Sequence, residues 1–220
     1  MKISNRLKII ASFVDDNSYV IDVGCDHALL DIFLVQTKKN IKTIASDINE
    51  GPLESAKKNI QEYNLQDKIE VKLGDGIKTI NDDVDTIVIS GLGGETIIEI
   101  IKKDIDKLKN IKSMILSPHS DLYNVRKEIT KLGYKIEKEI IMYDQKKPYI
   151  VIKFVKGNET YDDDELFFGP ILLKDKNESF YKFYQQLNEK NKDVIKKIPN
   201  DNTLKLELEL MIKKIDNILK

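Results

Sequence analysis

Short apolar segments alternate with amphipathic segments along the first two thirds of the chain. Five of the apolar segments have the length and composition of buried strands, and each ends in or runs into a polar or glycine-rich turn. These predicted strands are Tyr19–Val23, Lys42–Asp47, Ile69–Leu73, Asp85–Ser90 and Ser113–Leu116. The segments between them carry apolar residues at helical spacing, the first of them over about Ala28–Lys38. Strands that alternate with helices predict a mostly parallel α/β sheet with right-handed crossovers.

Two further strands follow, at about Tyr134–Tyr143 and Tyr149–Val155, with only a polar turn between them. Consecutive strands joined by a short turn pair antiparallel, because a parallel pair needs a long crossover. The fold class is therefore predicted as a Rossmann-like α/β sheet with an antiparallel hairpin at one edge.

The pattern changes after about Gly157. An acidic, irregular segment precedes two predicted helices with apolar residues at helical spacing. The apolar positions are Phe180, Phe183, Tyr184, Leu187 and Ile195 in the first helix and Leu204, Leu208, Met211, Ile215 and Leu219 in the second. This spacing predicts an antiparallel helical hairpin of coiled-coil character. We therefore predict two domains, 1–156 and 157–220. The apolar stripe is either the seam between the two helices or part of an arm that grips RNA or a partner.

Composition narrows the function classes. The chain has 220 residues and a net charge of −1, which excludes a generally basic nucleic-acid binder and restricts any RNA contact to a local patch. One cysteine excludes an internal disulfide, and no apolar run approaches the ~20 residues needed to span a bilayer. The N-terminus lacks the apolar core of a signal peptide. We expect a cytoplasmic monomer with no membrane partner.

The turn after the first predicted strand carries the most informative chemistry. Asp22 and Gly24 precede Cys25 and Asp26, where a pyrophosphate-binding loop would have its second and third glycines. A carboxylate would repel a phosphate at this turn, but it suits a cationic ligand such as the sulfonium and amino group of S-adenosylmethionine. The first hypothesis is therefore a methyltransferase.

The ends of the other predicted strands supply the remaining candidates. Asp47 is placed to accept both ribose hydroxyls of an adenosyl group, although the same spacing also suits NAD. Asp75 could meet the adenine amine, because Gly74 and Gly76 let the chain turn sharply around it. The segment Ser90–Gly94 offers exposed backbone beside the donor methyl group, where it could hold the acceptor base.

Histidine, cysteine and arginine are scarce in the chain. His27 and His119 are the only histidines, and no third ligand lies near either in sequence, so we predict no metal site. A helix N-terminus would lower the pKa of Cys25, but the neighbouring acids oppose a thiolate and disfavour covalent catalysis. Arg6 and Arg126 are the only arginines in a lysine-rich chain, which favours a use for their planar donor fork.

Four motifs together resemble the bacterial tRNA (adenine-22-N1)-methyltransferases: Asp22–Ala28, Gly51–Asn59, Gly74–Gly76 and Ser90–Gly94. The start of the chain and the closing strand hairpin also fit this family. Cys25 stands where the family commonly has serine, and Leu92 where it has methionine. The resemblance implies a class I methyltransferase fold, S-adenosylmethionine as methyl donor, and N1 of an adenine in the D-arm region of tRNA as acceptor.

The site residues predicted from these motifs and their chemistry fall into three groups. The cofactor-binding residues are Asp22, Gly24, Cys25, His27, Asp47, Ile48, Gly74, Asp75, Gly76, Ser90 and Gly91. The catalytic residues are Asp26, Gly91 and Leu92, and the RNA-binding residues are Lys2, Arg6, Lys8 and Arg126. The helical hairpin would grip the rest of the tRNA.

Adenine N1 is itself a nucleophile, so the enzyme needs to capture the base, align it and exclude water. No Asn/Asp-Pro-Pro-aromatic motif follows the fourth predicted strand, which favours a ring nitrogen over the exocyclic amine. Methylation at N1 leaves a cation that loses an N6 proton, and Asp26 is predicted to accept that proton or stabilise the charge.

Three alternatives remain open from the sequence. A methyltransferase of the same fold could act on a small molecule or a protein. A nicotinamide-dependent oxidoreductase is disfavoured by the missing third glycine and by the edge hairpin. A non-catalytic RNA- or partner-binding protein with a vestigial pocket would bind the cofactor weakly or not at all.

Overall fold

The predicted strands form one seven-stranded sheet in the computed structural model, which describes residues 3–199 and 203–220. The strands are β1 (Tyr19–Val23), β2 (Lys42–Asp47), β3 (Ile69–Leu73), β4 (Thr86–Ser90), β5 (Ser113–Ser117), β6 (Tyr134–Asp144) and β7 (Lys147–Lys156). Their order is β3-β2-β1-β4-β5-β7-β6. β1 to β5 run parallel, and β7 pairs antiparallel with both β5 and β6. The prediction of a mostly parallel sheet with an antiparallel edge hairpin is confirmed.

Helices connect the parallel strands and pack on the sheet. The helices along the chain are α1 (Asn5–Phe13), α2 (Leu29–Thr37), α3 (Glu50–Glu62), α4 (Gly94–Lys103), α5 (Leu122–Thr130), α6 (Asp163–Phe168), α7 (Pro170–Asp175), α8 (Glu178–Ile195) and α9 (Thr203–Ile218), of which α8 and α9 belong to a second compact unit. The central strands are buried on both faces, as parallel sheets require, with Ile21, Ile87 and Ile115 fully inaccessible to solvent. Burial of each such side chain contributes about 1.5–3 kcal/mol.

The chain after β1 enters α2 less directly than the sequence predicts. A short 3-10 turn over Asp26–Ala28 precedes α2, and Asp26, His27 and Ala28 all have positive φ angles, of 29°, 65° and 56°. Residues with a Cβ rarely adopt this left-handed region, and each costs about 1–3 kcal/mol there. Strain of this kind is typical of functional turns, and here it lies at the carboxyl end of the central strand β1.

The hairpin turn is tighter than the five-residue segment that the sequence predicts. β6 continues to Asp144 and β7 starts at Lys147, so only Gln145 and Lys146 form the turn. Both have positive φ, 47° and 70°, as a two-residue turn between twisted strands requires.

The segment that follows the sheet is anchored to it by a buried ion pair. Arg126 on α5 donates to the Glu139 carboxylate on β6 at 2.7 Å, and both side chains are fully buried. Arg126 also donates to the backbone carbonyls of Leu166 and Phe167 in α6. Glu139 accepts from the Ile171 N–H at the start of α7. These bonds explain why the first compact unit is Met1–Leu173 rather than the predicted 1–156.

The second compact unit, Lys174–Lys220, contains the predicted helical hairpin of α8 and α9. Its seam is more polar than the predicted apolar stripe. Asn188 is buried and donates to Asp216 at 2.6 Å, and Lys192 donates to the same carboxylate at 2.9 Å. Ile215 is buried as expected, whereas Met211 is 40% exposed. Residues 200–202, between the two helices, lie outside the described residues.

None of the helices within the described ranges is long and apolar enough to cross a membrane.

Candidate active site

The strand order reverses between β1 and β4, which is where ligands bind in open α/β sheets, beyond the carboxyl ends of the strands. Two neighbouring cavities open at this edge, with volumes of about 1230 Å³ and about 710 Å³. Gly24, Asp47 and Leu92 line both of them. A ligand in one cavity therefore borders a ligand in the other at these three residues.

The larger cavity collects the predicted residues from the ends of β2 and β3. Those that line it are Gly24, Asp47, Ile48, Gly74, Asp75, Gly76 and Leu92. The smaller cavity collects those from the start of α1 and the ends of β1 and β4. Those that line it are Arg6, Asp22, Gly24, Cys25, Asp26, Asp47, Ser90, Gly91 and Leu92.

The rim of the larger cavity suits an adenosyl group. The Asp47 carboxylate accepts two hydrogen bonds from Asn49, at 2.8 and 3.3 Å, and both end on Oδ1. No group in the described part of the chain donates to Oδ2, which leaves it available to ribose hydroxyls. Ile48, which lines this cavity, is 64% exposed, so the rim offers apolar surface to a flat base. Asp75, the predicted partner of the adenine amine, forms an ion pair with Lys103.

Gly24 lets a ligand approach the backbone closely. Its φ is 75°, and a Cβ built there would meet nothing within 4 Å, so the residue borders open space. The Gly24 N–H donates to the Ser46 carbonyl at 2.8 Å, which fixes the turn against β2. The backbone is therefore held rigidly while its ligand-facing side stays open.

Asp22 at the end of β1 is nearly inaccessible, with 4% exposure, yet it borders the smaller cavity. Burial and the neighbouring Asp31 carboxyl raise the pKa of Asp22 well above its ordinary value, and Arg6 opposes that shift. Burial raises the pKa of Asp31 to about 6. Asp22 and Asp31 are therefore two neighbouring buried carboxyls, one on each side of the turn after β1.

Cys25 is buried and lies beside three carboxylates. Burial raises the pKa of its thiol, and the charges of Asp22, Asp31 and Asp47 raise it further. The prediction that a helix N-terminus lowers this pKa is wrong, because α2 begins only at Leu29. The prediction that the neighbouring acids oppose a thiolate is confirmed, which excludes Cys25 as a nucleophile at neutral pH.

The smaller cavity also contains an aromatic cluster. The Arg6 guanidinium lies 5.3 Å from the ring centroid of Tyr149, and the His119 ring lies 6.3 Å from the same ring. Gly91, with a φ of 82°, passes between them, since a Cβ there would lie 3.4 Å from Arg6 Nη1 and 3.8 Å from His119 Nε2. The loops are tied together by the His119 N–H, which donates to the Leu92 carbonyl at 2.9 Å.

Asp26 lines the smaller cavity, but its side chain is 83% exposed and lies 3.2 Å from the His27 ring. Its assignment as a proton acceptor remains a prediction. His27, predicted to bind the cofactor, lines neither cavity, and its side chain is half exposed. Its carbonyl accepts from the Asn59 side chain at 2.9 Å, so the residue holds the turn against α3.

The four predicted RNA-binding residues separate in the structure. Arg6 lies in the smaller cavity, Lys8 is exposed on α1 outside both cavities, and Lys2 lies outside the described residues. The prediction for Arg126 is wrong, because its side chain is fully buried against Glu139 and cannot reach a phosphate. The planar donor fork of Arg126 is used, as the scarcity of arginine indicated, but it stabilises the fold and does not bind RNA.

Sequence reasoning missed three residues at the site: His119, Tyr149 and Asp31. His119 follows β5, and a polar residue beyond a parallel strand was the available signal. Tyr149 lies inside β7 and reaches the cavity only because the antiparallel hairpin turns back beside β5. Asp31 lies in an otherwise apolar helical segment, and an acid within such a segment was the available signal.

Comparisons with known proteins agree with this geometry. A family model described as tRNA (adenine(22)-N(1))-methyltransferase matches residues 20–220. The enzyme of that name from Bacillus subtilis (strain 168) is 33% identical over 193 residues, which cover 84% of this chain and 81% of the relative.

Solved structures share the whole fold. A Streptococcus pneumoniae protein in complex with S-adenosyl-L-methionine has a TM-score of 0.91 and 31% identity, with 100% of both chains covered. TrmK from M. capricolum, in complex with S-adenosyl-homocysteine, has a TM-score of 0.88 and 28% identity, also with 100% of both chains covered. The resemblance predicted from the motifs is confirmed: the chain belongs to the tRNA (adenine(22)-N(1))-methyltransferase family.

Proposed function

We propose that this chain transfers a methyl group from S-adenosylmethionine to N1 of adenine 22 of tRNA, the activity that names its family. The observation that carries the proposal is the pair of adjoining cavities at the switch point of the sheet. One is bordered by carboxylates and exposed apolar side chains, and the other by an arginine and aromatic rings.

The residues of the larger cavity fit the methyl donor. An open glycine turn admits backbone contact, the free oxygen of Asp47 suits ribose hydroxyls, and Ile48 suits the face of an adenine. Asp22, which lines the smaller cavity next to the shared residue Gly24, suits a cationic methionine end and would repel a pyrophosphate, which disfavours a nicotinamide cofactor. When bound, S-adenosylmethionine supplies the electrophilic methyl group.

The smaller cavity fits the acceptor base. Tyr149 and His119 offer rings on which an extruded base can stack, and Arg6 offers a cation beside them. Its volume of about 710 Å³ is ample for a nucleoside. Leu92 lies where the cavities adjoin and Gly91 lines the smaller cavity beside it, so we assign both to positioning the base against the methyl group.

The chemistry asks little of the protein beyond positioning. The N1 lone pair forms the new bond to the methyl carbon as the carbon–sulfur bond breaks, so no prior deprotonation of the base is needed. The methylated base then loses an N6 proton. Asp26 is our proposed acceptor, because it borders the smaller cavity and its exposed carboxylate can pass a proton to water.

The second unit is proposed as the arm that holds the body of the tRNA, with Arg6 and Lys8 contacting backbone phosphates near the site. A tRNA substrate favours a cytoplasmic location. The cytoplasmic location and the monomeric state both stay predictions. Sedimentation of the purified chain would measure its oligomeric state.

The test is incubation with methyl-labelled S-adenosylmethionine and an unmodified tRNA transcript that has adenine at position 22. We expect label in N1-methyladenosine and none with the matched transcript that carries guanine there. Label in another nucleoside would refute the acceptor. Absence of label despite donor binding would favour a small-molecule or protein acceptor, and absence of donor binding would favour the non-catalytic alternative.

A further inference from the structure

Asp31 is a buried carboxyl that none of the site assignments uses. It lies in the first turn of α2 and is fully inaccessible to solvent. Among the described residues, neither of its carboxyl oxygens has a hydrogen-bond partner of good geometry. The side chains that act on it are the Thr43 hydroxyl, which favours the charged form of Asp31, and the Asp22 carboxyl, and a hydrogen bond between two carboxyls requires a proton on one of them.

A lone buried acid costs stability. The pKa of Asp31 is raised to about 6 by burial, so folding becomes less favourable as pH rises through that range. A leucine or an asparagine would fill the same position without charge. Asp31 is therefore either a destabilising residue without a role or a residue whose carboxyl contributes to function.

The charged and titratable groups around the pair come from four elements. Arg6 on α1 favours the charged form of Asp22, while Asp26 in the 3-10 turn opposes it. Burial raises the pKa of the Cys25 thiol, and the charges of Asp22, Asp31 and Asp47 raise it further, so the thiol stays neutral. Among these groups only Arg6 is a cation, so the Asp22–Asp31 pair retains a proton unless a further cation binds.

We propose that Asp31 is a positioning residue of the donor site. It shares one proton with Asp22, and binding of a cationic donor releases that proton so that Asp22 meets the donor's amino group fully charged. The idea rests on the proposed function, since it names how the same site selects a cation. The proton goes to solvent, no bond other than the O–H bond breaks, and the shared hydrogen bond fixes the Asp22 carboxyl until the donor replaces it.

The test is calorimetric titration of the full chain with S-adenosylmethionine in two buffers of different ionisation enthalpy, at several pH values. Wild type should release a substantial fraction of a proton near pH 7. Its donor affinity should rise about threefold or more between about pH 6 and about pH 8, since one pKa unit corresponds to a tenfold factor. In Asp31→Asn, Asp22 can accept a hydrogen bond from the amide and stay ionised, so proton release and the pH slope should both disappear.

Two variants separate this from a purely structural role. Glu62→Gln removes one exposed carboxylate from α3 and should keep the wild-type proton release. Thr43→Val removes a buried hydroxyl that favours the charged form of Asp31, so it should keep or increase the proton release. An Asp31→Asn variant that releases protons as wild type does would overturn the proposal while leaving the methyltransferase assignment intact. Failure of wild type itself to bind the donor would overturn both.

Discussion

Two pairs of buried charged side chains in the first unit have opposite character. Arg126 and Glu139 form an ion pair of opposite charges, 2.7 Å apart, and backbone groups supply most of its other hydrogen bonds, although Arg126 Nη2 has no partner among the described residues. Asp22 and Asp31 are two acids whose ordinary charges would repel each other, and both have raised pKa values because of burial. The first pair holds α5, β6 and the segment after the sheet together, whereas the second borders the proposed donor site.

The difference shows how a buried charge can be assigned to the fold or to the site. A pair whose donors and acceptors are matched inside the protein is complete without a ligand. A pair of buried acids without a matching cation in the protein is neutralised by a cationic ligand. The predictions below separate these roles, because loss of the first pair should affect stability alone, whereas loss of the second should change both the stability and the pH dependence of donor binding.

The largest effect is expected from Glu139→Ala. It leaves the Arg126 guanidinium buried without its carboxylate, which costs about 3–5 kcal/mol of unfolding free energy. Urea denaturation measures the loss. The double variant Arg126→Met with Glu139→Leu should recover much of it, and a loss below about 1 kcal/mol in Glu139→Ala would mean that the pair does not anchor the segment.

Asp31→Asn should stabilise the fold by about 1–3 kcal/mol above about pH 6, since each pKa unit is worth about 1.4 kcal/mol. The sign follows from the raised pKa. The folded state binds more protons than the unfolded state between the two pKa values, so wild-type stability falls as pH rises through about 6. Below about pH 4 the variant should gain little. Thermal unfolding at both pH values measures this, and an equal gain at both would refute the ionisation of Asp31.

Tyr149→Ala tests the acceptor cavity rather than the donor site. Loss of a stacking platform worth about 1–3 kcal/mol should lower kcat/KM for tRNA about 5- to 150-fold. The donor dissociation constant should change less than about twofold. Tyr149→Phe keeps the ring and should retain most activity. An equal loss of donor affinity in Tyr149→Ala would mean that the two cavities are not separate sites.

The smallest effect is expected from a surface pair. Glu128 accepts hydrogen bonds from Lys102 and Lys131, and these bonds lower its pKa to about 2. Because the group is partly exposed, solvent screens the pair, and Glu128→Gln should cost less than about 1 kcal/mol. A loss comparable to that of Glu139→Ala would contradict the distinction between buried and exposed pairs.

The parallel strands were predictable because alternation of strands and helices and the polar ends of the strands are local properties of the sequence. Gly24, Asp47 and Asp75 could be assigned to a site because the carboxyl ends of parallel strands share one edge of the sheet. Arg126 was misassigned because its partner, Glu139, is distant in sequence and only the folded sheet brings them together. Tyr149 was missed for the same reason, since its place in the cavity depends on the hairpin turning back beside β5.

The most direct test of the contrast between the two pairs is an NMR titration of the aspartate carboxyl carbons, with Asp31→Asn used to assign the two signals. We predict that Asp22 and Asp31 titrate together, with apparent pKa values above the usual aspartate range, and that saturation with S-adenosylmethionine lowers the upper value. Two independent titrations near pH 4, unchanged by the donor, would contradict the account.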